Sequence, residues 1–169
     1  MATEKLTDAI ALLKADHRKV EDLFEKFESA SDGKKQAIAE QICTELKIHS
    51  MIEEEIFYPA LQGKIDDDLL NEAYVEHDGA KVLINDIMAG GPDDRFYDAK
   101  VTVLSEEIKH HVKEEEAAKE GMFAQARDAD VDLVALCDQM LARKQELTAL
   151  AKSEGLPPAK LAAVRLELA

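Results

Sequence analysis

The sequence predicts an all-α protein: an up-down-up-down four-helix bundle with an additional C-terminal helix. Composition supports this first, since the chain is rich in Ala, Leu, Glu, Lys and Asp and holds 7 Gly, 4 Pro and no Trp. Periodicity supports it second, because apolar residues recur three and four apart over long stretches and strand signals are absent. Short breaks rich in Gly, Pro and Asp then divide those stretches into separate helices.

The first helix is expected from an N-cap at Thr7 to about Ala30, with Ile10, Leu13, His17, Val20, Phe24 and Phe27 forming one stripe. Ser31-Asp32-Gly33 makes a turn, and a second helix runs from about Lys34 to Leu61. Pro59 lacks an amide donor there, so its last turn should bend or end early. Asp66-Asp67-Asp68 supplies acid to the start of a third helix, which reaches about Met88. Gly90-Gly91-Pro92-Asp93 ends it, and a fourth helix follows from about Asp94 to Arg127, with Gly121 as a point of interruption. A fifth begins at Asp130 or Asp132 and ends near Lys152. The tail beyond Gly155-Leu-Pro-Pro is expected to be helical from about Pro158 and to dock on the bundle or pair with a second chain as a homodimer.

At 169 residues, positions 1–169 are expected to form one domain, with the bundle at 7–127 and a helical extension at 128–169. The net charge of -15 argues against nucleic-acid binding, which needs concentrated Lys and Arg. Cys43 and Cys137 fit neither a CxxC motif nor a disulfide framework, so both read as small buried apolar residues in a reducing compartment. The first residues carry no leader-like apolar core, and no run is apolar enough to span a membrane. The expected location is cytoplasmic.

The chemistry lies in His49-Ser-Met-Ile-Glu53. His49 and Glu53 are four apart on a helix, hence on one face, and they fall in the apolar stripe of Ile42, Leu46 and Ile56. A carboxylate carried into the core is costly unless a cation meets it. Imidazole beside carboxylate suits iron, zinc or manganese.

An internal repeat extends the pair. Displacing the chain by about 60 residues aligns Asp16-His17 and Leu23, Phe24 and Phe27 with Glu76-His77 and Leu83, Ile84 and Ile87. Each half then reads His, a gap of 32 or 34 residues, and HisxxxGlu. In the second half His110/Glu114 and His111/Glu115 both fit that spacing. The stripe selects His111/Glu115, because Leu104 and Ile108 then match Ile42 and Leu46; His110 becomes a flanking residue. The predicted ligands are therefore His17, His49, Glu53, His77, His111 and Glu115, enough for two metal ions. Each ion would take two histidines from one half, with Glu53 and Glu115 bridging, and Asp16 and Glu76 would hydrogen-bond from behind.

With His17 in Asp-His-Arg-Lys-Val-Glu, the segment HSMIEEEIFYP from His49 to Pro59, His77 in Glu-His-Asp, and HHVKEEE at 110–116, the chain resembles the hemerythrin-like proteins with the HHE cation-binding domain over roughly residues 8–127. The resemblance implies a non-heme di-iron centre, two Fe ions with an oxo or hydroxo bridge, and an open position for a diatomic ligand or peroxide. The chain departs from the oxygen carriers in having Ala73 four before His77 where they have histidine, and His111-xxx-Glu115 where they have HxxxxD. Tyr58 or Tyr74 is expected to fill the vacated position. The leading expectation is a protein that binds dioxygen, nitric oxide or peroxide in sensing, storage or stress response. A catalase-like or peroxidase-like enzyme is the alternative, and a metal-free helical interaction module the third reading.

Overall fold

The computed structural model describes residues 6–166. The expectation about the first residues falls mostly on residues 1–5, outside that range. Helix α1 spans Ala9–Ser29, and its cap is Asp8 rather than Thr7: the Asp8 side chain accepts the Ala11 N–H at 2.9 Å. Helix α2 runs Asp32–Ile52, α4 Asp67–Ala89 and α5 Tyr97–Glu116. The pairs α1/α2 and α4/α5 pack together, and contacts of α2 with α4 and of α1 with α5 close the bundle. Helix α7, Leu133–Ser153, lies against α1 and α2 with Leu136, Cys137, Met140 and Leu147 buried.

The second helix does not run unbroken to Leu61. Glu53–Phe57 forms a single π-helical turn, in which the Tyr58 N–H bonds to the Glu53 carbonyl, and a short α3 follows at Tyr58–Leu61. Pro59 explains the widening, because its ring would collide with the carbonyl four residues back in a regular helix and it has no N–H to donate. The wider turn has a second effect. Residues five apart diverge by about 140° on an α-helix, but here Tyr58 swings under Glu53 and its hydroxyl donates to Glu53 Oε2 at 3.1 Å.

The fourth helix is also divided: α5 stops at Glu116, and α6 restarts at Met122–Asp128. Gly121 fixes the bend by close approach, since a Cβ there would lie 2.5 Å from the Ala117 carbonyl oxygen and 2.9 Å from that of Glu114. Gly121→Ala is expected to destabilise the protein by about 2 kcal/mol, measurable by urea denaturation, because backbone atoms rather than a flexible side chain must move.

The tail is not helical from Pro158. Pro157 and Pro158 favour extended backbone, and residues 155–166 lie along the bundle with their polar groups met by buried side chains. Asp78 accepts N–H bonds from Ala162, Ala163 and Val164 at 2.8, 2.7 and 2.6 Å. Asn85 both donates to and accepts from the Ala159 backbone, at 2.9 and 2.7 Å.

Two apolar layers flank a polar one. One contains Ile10, Leu13, Ile52, Phe57 and Phe123; the other contains Val20, Phe24, Ile42, Leu46, Ile84 and Leu104. Between them, His17 follows Leu13 and precedes Val20 on α1, and His49 lies between Leu46 and Ile52 on α2. A layer of imidazoles across a four-helix core needs its own stabilisation.

Candidate metal centre

Four helices bring all six predicted residues to that layer, and all six are buried. Two groups of possible ligand atoms form: His17, His49, Glu53 and Glu115 in one, and Glu53, His77 and His111 in the other. Glu53 belongs to both. Its Oε1 lies 3.2 Å from His49 Nε2 and its Oε2 3.1 Å from His77 Nε2. Glu115 Oε1 is placed similarly, 3.4 Å from His17 Nε2 and 3.1 Å from His111 Nε2. The register choice of His111 over His110 matches this placement: His110 is exposed and pairs with Glu114 at 3.1 Å outside the bundle.

The imidazoles share one orientation, with Nε2 inward and Nδ1 toward a carboxylate behind. His49 Nδ1 meets Asp16 at 3.1 Å, His77 Nδ1 meets Glu54 at 3.4 Å, His111 Nδ1 meets Glu76, and His17 Nδ1 faces Glu116 at 3.8 Å. Asp16 and Glu76 were legible from the repeat, and each backs the next helix's histidine in its own half. Glu54 and Glu116 were missed, and each backs a histidine of the other half. The signal was present, because both halves read HisxxxGluGlu. An Nδ1–H donated outward leaves the Nε2 lone pair facing the interior, the arrangement that presents an imidazole to a cation.

Electrostatics follow from this crowding. Burial disfavours charge on Glu53, but the His49 and His77 rings outweigh it and hold its carboxyl well below the usual range. Burial and Glu53 both raise Glu115, yet His111 and His17 draw it down to about 2. Burial lowers His49, while Glu53 and Asp16 push it up to about 10. Without metal, Glu53 and Glu115 are therefore ionised and His49 faces Glu53 as an imidazolium. Buried atoms are left unsatisfied: both ring nitrogens of His17, His49 Nε2, Glu53 Oε1, His77 Nδ1 and Glu115 Oε1 have no hydrogen-bond partner. Of these, His17 Nε2, His49 Nε2, Glu53 Oε1 and Glu115 Oε1 face the interior together, which is what a metal ion would satisfy, and the nitrogen and oxygen donors suit iron, manganese or zinc.

Tyr58 is central and Tyr74 is not. The buried Tyr58 hydroxyl lies 3.1 Å from Glu53 Oε2, 3.1 Å from His77 Nε2, 3.4 Å from His111 Nε2 and 3.2 Å from Glu115 Oε2. Tyr74 packs edge-on against the Tyr58 ring, with centroids 5.2 Å apart. Phe123, carried inward by the bend at Gly121, stacks on the His17 ring at 5.8 Å. Cys43 and Cys137 are buried outside the cluster, as expected, and burial pushes the Cys43 thiol up to about 12.

Comparisons with known proteins agree with this architecture. The structure is similar to the crystal structure of a hemerythrin HHE cation-binding domain-containing protein from Mycobacterium kansasii, with a TM-score of 0.71 and 22% identity over 88% of this chain and 94% of that one. A DNA nickase of Nostoc sp. (strain PCC 7120 / SAG 25.82 / UTEX 2576) is 30% identical over 118 residues, covering 69% of this chain. The chain spans only 33% of that relative's length. The family model for the hemerythrin HHE cation-binding domain matches residues 8–126, which hold all six inward-facing residues. The chain belongs to the hemerythrin HHE cation-binding domain family.

Proposed function

We propose that His17, His49, Glu53, His77, His111 and Glu115 hold two iron ions, and that the protein binds dioxygen, nitric oxide or peroxide beside them. The observation that carries this reading is Glu53, whose two oxygens face histidines of different halves at 3.2 and 3.1 Å. When bound, the ions supply redox change and open coordination positions. A cavity of about 30 Å³ adjoins the histidines and is walled by Val20, Leu46, Ile84 and Ile108. That is room for roughly two or three water-sized molecules, at about 10–15 Å³ each. The apolar wall limits entry of bulk water, and the imidazoles offer a small polar ligand a hydrogen-bonding side.

Tyr58 takes the place that the missing histidine leaves. Its hydroxyl proton is kept, because burial and the neighbouring Glu115 and Glu53 carboxylates raise it well above the usual phenol range. A phenol hydroxyl within 3.1–3.4 Å of the ligand atoms favours peroxide breakdown as a second reading, since a protonated hydroxyl there can donate to a leaving oxygen. The Nostoc relative's nicking of DNA finds little support here, because a chain of net charge -15 opposes a phosphate backbone.

Iron-loaded protein is expected to contain two irons per chain and to show ferric absorption in the near ultraviolet that responds to reduction. Oxygen release from peroxide above that of free iron would favour the enzymatic reading. In that case Tyr58→Phe is expected to lower turnover by about 10²-fold, the usual scale for a lost proton donor. A fully helical protein that takes up no metal would return it to the class of interaction modules.

A further inference from the structure

Each of the four outer carboxylates has a basic side chain beside it. Arg18 meets Glu116, Lys81 meets Glu54 at 2.9 Å, the His110 ring lies 3.4 Å from Glu76, and Lys144 meets Asp16. Three of these partners come from bundle helices. Lys144 comes from α7, beyond the 8–126 segment that the family match covers. Arg18 and His110 are 58% and 64% exposed, so solvent screens them. The Asp16–Lys144 pair is enclosed, at 8% and 25%.

Asp16 is gripped at both ends. Its Oδ2 meets His49 Nδ1 at 3.1 Å, and its Oδ1 accepts from the Lys144 ammonium. A carboxylate with one oxygen held cannot turn, so the other stays aimed at the His49 ring. The ammonium also draws charge from Asp16, which limits how strongly the carboxylate enriches the imidazole. The backbone of α7 cannot easily carry Lys144 away, because Met140 and Leu147 on either side are buried against the bundle and Arg143 holds Glu55 at 2.8 and 3.2 Å. The equivalent acid of the other half, Glu76, has only the exposed His110. Glu54, behind His77, has the enclosed Lys81 at 2.9 Å, but that ammonium comes from α4, within the matched segment.

We propose that Lys144 is a positioning residue of the metal centre, acting through Asp16 on His49, so that the helix beyond the family domain tunes the ion beside His17 and His49. This rests on the two-ion reading above. Removing Lys144 strips a positive charge from the vicinity of that ion and leaves Asp16 more basic. Both effects favour the oxidised state.

The test is a redox titration of the iron-loaded full chain, followed by absorbance, for wild type, Lys144→Met, Lys144→Arg and Arg143→Met. Lys144→Met should keep two irons and move one of two one-electron steps to more negative potential, by about tenfold in the reduced-to-oxidised ratio, or ~59 mV. Lys144→Arg should restore the wild-type value. Arg143→Met, which removes a neighbouring charge and anchor of α7 without touching Asp16, should not shift it. In the Asp16→Asn background, where no buried carboxylate is left unpaired and folding is safer, Lys144→Met should shift the potential by clearly less, because only the direct effect of the lost charge remains. An unshifted Lys144→Met, an equal shift in Arg143→Met, or an undiminished effect in the Asp16→Asn background would overturn the proposal. Wild-type protein that holds no iron would instead remove the metal centre itself, and this role with it.

Discussion

Replacing Glu53 with Gln is expected to cost the protein both metal ions, not one. Its two carboxylate oxygens serve different histidine pairs, and an amide offers a single weak oxygen and a nitrogen that cannot ligate. The fall in affinity should exceed about 100-fold for each ion, since even residues behind the ligands are typically worth 10–100-fold. Competition with a chelator, followed by elemental analysis, measures it. A variant that keeps one tightly held ion would show that the two groups of donors do not share Glu53. His77→Ala gives the contrast, because His77 belongs to one group only and should spare the ion near His17 and His49.

Stripping the metal is expected to lower the melting temperature by roughly 8–16 °C. Ligand present at a thousand times its dissociation constant stabilises by about 4 kcal/mol, and each kcal/mol moves a chain of this size by about 2–4 °C. The difference should also depend on pH in a predictable direction. Glu115, held at about 2 in the folded protein against the ordinary 4.5, contributes stability that is complete above 4.5 and is lost as pH falls through 2. His49, raised to about 10 against 6.5, contributes stability that is complete below 6.5 and is lost as pH rises through 10. The metal-free protein therefore weakens on the alkaline side. The metal-bound protein does not, because an ion needs the imidazole neutral and competes with fewer protons there. The gap between the two melting temperatures should widen from pH 6.5 to 8.5, and calorimetry should register proton release on binding. A gap that narrowed over that range would contradict the assignment of His49 as a ligand.

The parts of this arrangement that follow helical periodicity were legible in the sequence. His17, His49, His77 and His111 each occupy a core position of an apolar stripe, so the repeat alone carried them to one layer. Even the choice between His110 and His111 yielded to the stripe, since Ile108 and Leu104 face inward only with His111. Departures from that periodicity were legible only as places: Tyr58 or Tyr74 for the vacated position, a bend at Pro59 and a break at Gly121, without the geometry that each takes. Tyr58 sits five residues after Glu53 and would point elsewhere on a regular helix. Only the π turn that Pro59 favours brings it into the centre. The bend at Gly121 depends on backbone atoms of Glu114 and Ala117, a close approach that a pattern of side chains does not encode. The tail misled for the opposite reason: its composition permits helix, but Asp78, Lys81 and Asn85 on α4 offer its backbone better partners. Lys144, more than a hundred residues from Asp16, carried no sequence signal linking it to the centre.

The most direct measurement of the central claim is anomalous diffraction at the iron edge from crystals of the iron-loaded protein. Two peaks are expected in the layer between α1, α2, α4 and α5, about 3.5–4 Å apart as in other two-metal sites. One should lie beside His17 and His49, the other beside His77 and His111, with Glu53 in contact with both. A single peak, or two that share no carboxylate, would contradict it.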